Sequence, residues 1–129
     1  MVYVTDTHSI LWFFTDDSKL GRNSKDLFEK AEIGQIKIII PSIVLTELMY
    51  LLEDKNSKSK FKDLLEKIKV ASNYEIYPLD LDIVEEVYNI TTIREIHDRI
   101  IVATAKILDC SLITKDEKIK NSGEVDCVW

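Results

Sequence analysis

The chain has 129 residues, of which 46% are hydrophobic and 31% charged, a balance that suits one packed core and excludes disordered and fibrous proteins. Three Gly, two Pro and two Cys exclude a low-complexity chain and a secreted chain held by several disulfides. The formal charge of -6 argues against a broad basic surface that binds nucleic acid nonspecifically.

The apolar runs of the chain are far shorter than the ~20 residues that cross a bilayer. Residues 1–6 lack the basic start and apolar middle of a signal peptide and instead resemble a strand. We therefore expect a single cytoplasmic domain, residues 1–129, that begins with its first strand.

Alternating β-branched segments and segments of helical period predict strands and helices in turn. The strands are predicted at 1–5, 36–40, 75–79, 111–114 and 125–128. The helices are predicted at 10–14, about 24–33, 42–53, about 59–71, 81–88, 98–108 and, as a short helix or turn, 116–121. Asn23 or Ser24, and Ser42, are in position to cap helices. We expect Val84 and Tyr88 to face inward together with Ile83 and Val87. The alternation predicts an α/β domain with a mainly parallel sheet.

Four carboxylates fall at or near the points where predicted strands lead into helices. Asp6 and Asp116 follow strands, Glu47 lies within the first two turns of a helix, and Asp98 begins the Ile- and Ala-rich helix. The functional crevice of a parallel sheet lies outside the carboxyl ends of its strands, so the four acids are expected at one edge. Taken singly, each Asp is also an ordinary helix-capping residue and Glu47 an ordinary solvated residue. However, Thr46 and Glu47 interrupt an otherwise apolar stretch.

Carboxylates that lie close together repel one another, which raises their pKa values unless a cation compensates. Carboxylate oxygens and water suit Mg²⁺ or Mn²⁺, whereas zinc calls for His or Cys at ligand spacing. His8 and His97 do not form such a pair. The sequence therefore predicts a Mg²⁺ or Mn²⁺ site.

Four segments of the chain resemble the successive acidic motifs of PIN-domain ribonucleases. They are VTDTH at 4–8, SIVLTEL at 42–48, IHDRIIVATA at 96–105 and LITKDEKI at 112–119. The likeness extends over nearly the whole chain, and the short length is most similar to VapC-type toxins of toxin–antitoxin pairs. Family members often have Asp-Pro-Phe before the third acid, where this chain has Glu95-Ile96-His97.

The resemblance implies a PIN-like α/β fold, with a central sheet of four to five strands flanked by helices, and a Mg²⁺- or Mn²⁺-dependent endoribonuclease. It implies that Asp6, Glu47, Asp98 and Asp116 surround the metal, with Thr114 a nearby hydroxyl ligand or hydrogen-bond partner. One or two cations would activate water and neutralise charge on the scissile phosphate. The resemblance further implies an RNA substrate, a homodimer and a cognate antitoxin protein.

Other residues have two interpretations each. Arg99 either contacts phosphate or forms a surface ion pair. The lysines of residues 55–69 form either a phosphate track or the solvated face of a helix. For Trp12, Phe13 and Phe14, core or dimer contacts are favoured over a base-stacking platform. Cys110 and Cys127 are expected as small buried residues of adjacent strands.

Two other classes of protein compete with a nuclease. A catalytically silent PIN-like domain would act only as a protein-binding module. A phosphoacceptor signalling domain also has an acidic Mg²⁺ pocket, but it needs two acids together after its first strand and an isolated Asp after its third. This chain lacks that pattern. The acids at all four predicted positions favour the nuclease.

Overall fold

The computed structural model describes residues 1–129 as a five-stranded sheet with seven flanking helices. The strands are β1 (Val2–Thr5), β2 (Lys37–Pro41), β3 (Tyr74–Tyr77), β4 (Ser111–Ile113) and β5 (Cys127–Val128). The helices are α1 (Thr7–Phe14), α2 (Arg22–Glu32), α3 (Ser42–Asp54), α4 (Lys58–Val70), α5 (Leu81–Asn89), α6 (Ile96–Ile107) and α7 (Glu117–Ser122). All neighbouring strands are parallel, in the order β3-β2-β1-β4-β5, which confirms the predicted α/β class.

The core is built on the central strands, which are covered by helices. Ile38, Ile39 and Ile40 of β2 are all buried, as expected for a strand that is β-branched on both faces. Val4 of β1 and Leu112 of β4 are fully buried beside them. Helix α6 adds a continuous buried segment from Ile100 to Ala105, so this part of the helix is buried on every side. None of the helices combines the length and apolarity needed to cross a membrane.

The direction of the chain across the sheet reverses between β1 and β4. The first three strands step outward from β1 through β2 to β3, after which the chain crosses back to place β4 on the other side of β1. Register pairs Thr5 with Ile113, so the ends of β1 and β4 lie side by side. Ligand sites of parallel α/β sheets lie at such a reversal, because the two loops leave the strands on opposite sides and open a crevice.

Both predicted helix caps are wrong, that at Asn23 or Ser24 and that at Ser42. The residue preceding α2 is Gly21, and Asn23 and Ser24 instead donate to the carbonyl oxygens of Trp129 (2.9 Å) and Val128 (3.4 Å). Ser42 is the first residue of α3, and its Oγ accepts from the backbone N–H of Leu79 at 3.1 Å. Tertiary partners therefore take the three side chains that local preference assigns to caps.

Some predicted boundaries and faces also differ. Ile83 and Val87 of α5 are buried as predicted, but Val84 and Tyr88 are 51% and 85% exposed, because the helix contacts α6 along one narrow stripe. Strand β3 ends at Tyr77, and β5 has only two residues. Cys110 precedes β4 rather than lying in it, and both cysteines are free and partly exposed rather than buried.

The aromatic run of α1 divides between core and surface. Phe13 stacks on Phe28 with ring centroids 4.8 Å apart, and Phe14 also packs against the core. Trp12 is outside this core, and its partners are His8 and Trp129. The core interpretation is therefore correct for the two phenylalanines and wrong for Trp12.

Candidate active site

Asp6 lies at the reversal of the sheet, between the end of β1 and the start of α1. Its backbone N–H continues the β1–β4 ladder by donating to the carbonyl oxygen of Ile113 at 3.2 Å. Its Oδ1 caps α1 by accepting from the backbone N–H (2.9 Å) and the hydroxyl (2.5 Å) of Ser9. Burial raises the pKa of Asp6, although the hydrogen bonds from Ser9 and Thr114 oppose this effect. The carboxylate is thus held rigidly in a site that disfavours its negative charge.

Thr114 joins two of the predicted acids. Its buried hydroxyl donates to Asp6 Oδ2 at 2.6 Å and accepts from the backbone N–H of Asp116 at 3.1 Å. Asp116 Oδ1 caps α7 by accepting from the N–H groups of Lys118 (2.8 Å) and Ile119 (3.4 Å). Capping and site formation therefore coexist, because each cap uses Oδ1 and leaves Oδ2 for other partners.

Glu47 reaches the same edge from α3. Its Oε1 accepts a hydrogen bond of 2.8 Å from the hydroxyl of Thr7, the buried first residue of α1. Its Oε2 lies 3.6 Å from Nδ1 of His97, which is 3.3 Å from Oε1 of Glu95. Elements distant in sequence thus fix the position of Glu47, which is only partly exposed.

Asp98 is in the first turn of α6 and does not cap that helix. Glu95 is the cap, and its Oε2 accepts from the backbone N–H of Asp98 at 2.7 Å. Burial raises the pKa of Asp98 to about 6, with further contributions from the charges of Glu95, Asp116, Glu47 and Asp6. The structure therefore brings all four predicted acids into one electrostatic cluster and adds Glu95 to it.

The donor set fits a hard divalent cation. No three of its carboxylate, imidazole or thiol groups converge at ligand distance in this structure. Mg²⁺ does not require such convergence, because it binds through one or two carboxylates and keeps several waters. Asp98 has no cationic ion-pair partner, and burial and the charges of the neighbouring carboxylates raise its pKa, which a bound cation would oppose.

Four further residues position the acids: Thr7, Ser9, Glu95 and His97. The sequence marked Glu95 and His97 only as a departure from the family pattern and did not single out Thr7 and Ser9. The hydroxyls at positions 7 and 9 have a visible signal, because each lies within three residues of Asp6 at a helix start. The pairing of Thr7 with Glu47, 40 residues away, has no local signal.

The structure supports one interpretation of the lysines and contradicts the ion-pair interpretation of Arg99. The Arg99 side chain has no ion-pair partner, and its buried Nε has no hydrogen bond. All six lysines of residues 55–69 are exposed, opposite Leu64 and Ile68 in the buried face of α4. The lysines thus form a solvated face, and contact with phosphate stays a prediction for both.

Fold and site together define an α/β protein with a carboxylate cluster at the reversal of a parallel sheet. A family model described as the PIN domain matches residues 3–124. The chain belongs to the PIN domain family. A sequence comparison with curated proteins gives no match.

Several solved structures share this fold at low sequence identity. VapBC2 from Rickettsia felis, bound to a DNA fragment from its promoter, has a chain 21% identical, with a TM-score of 0.77 and coverage of 99% of this chain and 98% of that one. A chain of DNA-bound VapBC from Salmonella typhimurium is 16% identical, with a TM-score of 0.76 and coverage of 99% of this chain and 97% of that one. VapC20 from Mycobacterium tuberculosis, a toxin that cleaves the sarcin–ricin loop, is 12% identical, with a TM-score of 0.70 and coverage of 95% of each chain.

Proposed function

We propose that this chain is a Mg²⁺- or Mn²⁺-dependent endoribonuclease and the toxin of a toxin–antitoxin pair. The observation that carries the proposal is the cluster of Asp6, Glu47, Asp98 and Asp116 at the reversal of the sheet. The fold likeness to VapC20, a toxin that cleaves the sarcin–ricin loop, supports a nuclease activity.

In this proposal the four acids would surround the cation, with one or two of them as direct ligands, and the cation would activate a water and neutralise charge on the scissile phosphate. The protein's own contribution is geometry. Thr114 orients Asp6 against Asp116, and Thr7 orients Glu47. Arg99 follows Asp98 in the chain and has no ion-pair partner, and we propose that its guanidinium binds a phosphate oxygen.

The test is cleavage of a fluorescent single-stranded RNA by the purified chain with Mg²⁺ or Mn²⁺. We expect EDTA to stop cleavage and Asp98→Asn to slow it at least ~100-fold, the scale on which loss of one stabilising group acts. Asp63→Asn, an exposed site on α4, is the control for charge and for contaminating ribonuclease. Equal cleavage by Asp98→Asn, or cleavage indifferent to EDTA, contradicts the proposal. No cleavage under any condition favours the silent protein-binding module.

The proposed partner is an antitoxin protein, since two of the similar structures are VapBC complexes. An Arg or Lys of the partner would enter the acid cluster and pair with carboxylates that otherwise hold metal. Inhibition by the neighbouring gene product should weaken when that basic residue becomes Ala and ease as Mg²⁺ is raised. If no such protein binds and expression of the chain leaves host RNA intact, the toxin proposal fails while the nuclease proposal stands.

We also propose a homodimer. Phe13 and Phe14 do not supply its interface, because they pack in the core. Exposed apolar side chains of α5 are available instead, namely Leu81, Val84 and Tyr88. Light scattering at micromolar concentration should give twice the chain mass, and Val84→Lys should give the monomer. A wild-type monomer contradicts this proposal.

A further inference from the structure

Three aromatic side chains lie together beside the acid cluster without belonging to the core. We name His8, Trp12 and Trp129 the aromatic platform. The His8 and Trp12 rings lie 5.4 Å apart between centroids, and those of Trp12 and Trp129 lie 5.9 Å apart, edge to face. Neither tryptophan is among the side chains packed against the core. A partly exposed pair of the largest aromatic residues is therefore unexplained by folding alone.

Lysines outnumber acids around the platform, where Lys19 is paired with Asp17 at 3.6 Å and Glu117 lies near Lys115 and Lys120. The Nζ atoms of Lys19 and Lys115 lie 5.7 and 5.8 Å from the centroid of the Trp12 ring. Lys115 and Lys120 also line a cleft of about 430 Å³ that Trp129 borders. All three lysines are exposed. Aromatic faces interleaved with lysines are the arrangement that binds single-stranded nucleic acid, by stacking on bases and pairing with phosphates.

The platform adjoins the acid cluster. Thr114, whose hydroxyl bonds to Asp6, lines the same cleft as Trp129. Trp12 is six residues beyond Asp6 on α1, which is about 9 Å along the helix. The step between neighbouring nucleotides of a single strand covers most of the distance from Asp6 to Trp12. A strand whose phosphate lies at the acids can therefore place an adjacent base on the platform.

The structure holds Trp129 firmly in place. A Cβ at Gly21 would come within 2.7 Å of the carbonyl carbon and ring of Trp129, so only glycine permits this approach. Asn23 donates to the Trp129 carbonyl oxygen at 2.9 Å. The platform is therefore largely formed before any ligand binds, which lowers the entropy cost of stacking.

We propose that the aromatic platform stacks an unpaired RNA base next to the scissile phosphate, while Lys115 and Lys19 turn from the Trp12 ring to the backbone phosphates. This inference rests on the proposed ribonuclease function and adds a binding subsite to it. It also predicts that the chain selects single strands over duplexes, because only an unpaired base exposes its face for stacking.

Tryptophan fluorescence reports directly on the platform, because Trp12 and Trp129 are the only two tryptophans in the chain. The experiment titrates the Asp98→Asn protein, in EDTA, with a single-stranded RNA of about 12 nucleotides, the scale of known single-strand sites. Single-stranded RNA should quench the tryptophan fluorescence, and the matched duplex should not. Quenching of equal strength by the duplex overturns the proposal.

Variants at Trp12 separate stacking from folding. Trp12→Leu keeps apolar bulk but loses the aromatic face and should bind the single strand about tenfold more weakly. Trp12→Phe keeps a ring and should lose much less. Tyr50→Leu, on α3 and 70% exposed, is the control and should bind normally. If Trp12→Leu does not fold, Trp129→Leu makes the same test.

The activity assay distinguishes the two proposals. In the cleaving protein Trp12→Leu should raise KM with little change in kcat, because the platform binds substrate and does not touch the reacting atoms. If Trp12→Leu cleaves RNA in the presence of metal and binds it with wild-type affinity, the platform proposal is overturned and the ribonuclease proposal stands. The same holds if Trp12→Leu binds RNA normally but no longer binds a protein partner. A wild-type chain that neither binds nor cleaves RNA overturns both.

Discussion

At the scale of single residues, Thr114 joins the acids with one hydroxyl. Thr114→Val keeps the shape but leaves Asp6 Oδ2 and the Asp116 N–H without this partner. We expect a stability loss of about 1–3 kcal/mol and a lower kcat, both restored by Thr114→Ser. Urea unfolding and RNA cleavage measure the two effects.

The control is Thr104→Val. Thr104 is equally buried, but its hydroxyl bonds only to the Ile100 carbonyl oxygen of its own helix. It should leave kcat unchanged. If Thr114→Val has wild-type kcat, Thr114 does not position the site.

Asp98 predicts a pH dependence of the metal-free protein. Its pKa is raised from 3.8 to about 6, so its charge costs stability above pH 6 and costs nothing below about pH 4. Asp98→Asn should therefore be more stable at pH 8 in EDTA. The gain is on the order of 1 kcal/mol, after allowance for solvent screening and for the lost interaction with the helix dipole. Thermal unfolding should show the gain shrink as the pH falls through 6.

Asp63→Asn provides the comparison, because no ion pair or hydrogen bond of the Asp63 side chain is present. Its stability difference from wild type should stay flat over the same pH range. An Asp98→Asn curve parallel to that of wild type would show that the acids do not repel.

At the scale of elements, the start of α6 holds a like-charged pair, Glu95 and Asp98. Glu95→Gln keeps an oxygen acceptor for the Asp98 N–H and removes a charge that raises the pKa of Asp98. Glu95→Ala removes both. We expect Glu95→Ala to be less stable than Glu95→Gln by about 1 kcal/mol in urea, and both to lower the pKa of Asp98 in an NMR titration.

Asp80→Asn isolates the effect of cap charge, because Asp80 caps α5 through a 3.0 Å bond from the Ile83 N–H. Asp80→Asn should leave the pKa of Asp98 unchanged. Equal stability of Glu95→Gln and Glu95→Ala would mean that the Glu95 cap contributes nothing.

At the scale of the whole molecule, a cation that binds only the folded chain raises its stability by mass action. At a hundredfold excess over Kd, Mg²⁺ or Mn²⁺ should add about 2.7 kcal/mol, or about 10 °C in Tm for a domain of this size. Asp98→Asn should show a much smaller rise. Calorimetry in metal and in KCl of equal ionic strength makes the comparison, and an equal rise in both proteins places the cation elsewhere.

The sequence by itself determined the α/β class, because the spacing of apolar residues along each segment is a local property that distinguishes strands from helices. It also predicted that Asp6, Glu47, Asp98 and Asp116 lie near one another, because each follows a strand or lies in the first turns of a helix. Predicting those positions required only the rule that the carboxyl ends of parallel strands lie at one edge of the sheet.

Tertiary structure alone decided the rest. Asn23, Ser24 and Ser42 are good caps locally but bond to segments distant in sequence, and the same holds for the pairing of Thr7 with Glu47. The aromatic platform arises because β5 brings Trp129 back against α1, 117 residues after Trp12. Contacts of this kind depend on how strands are ordered across the sheet, and no local pattern encodes that order.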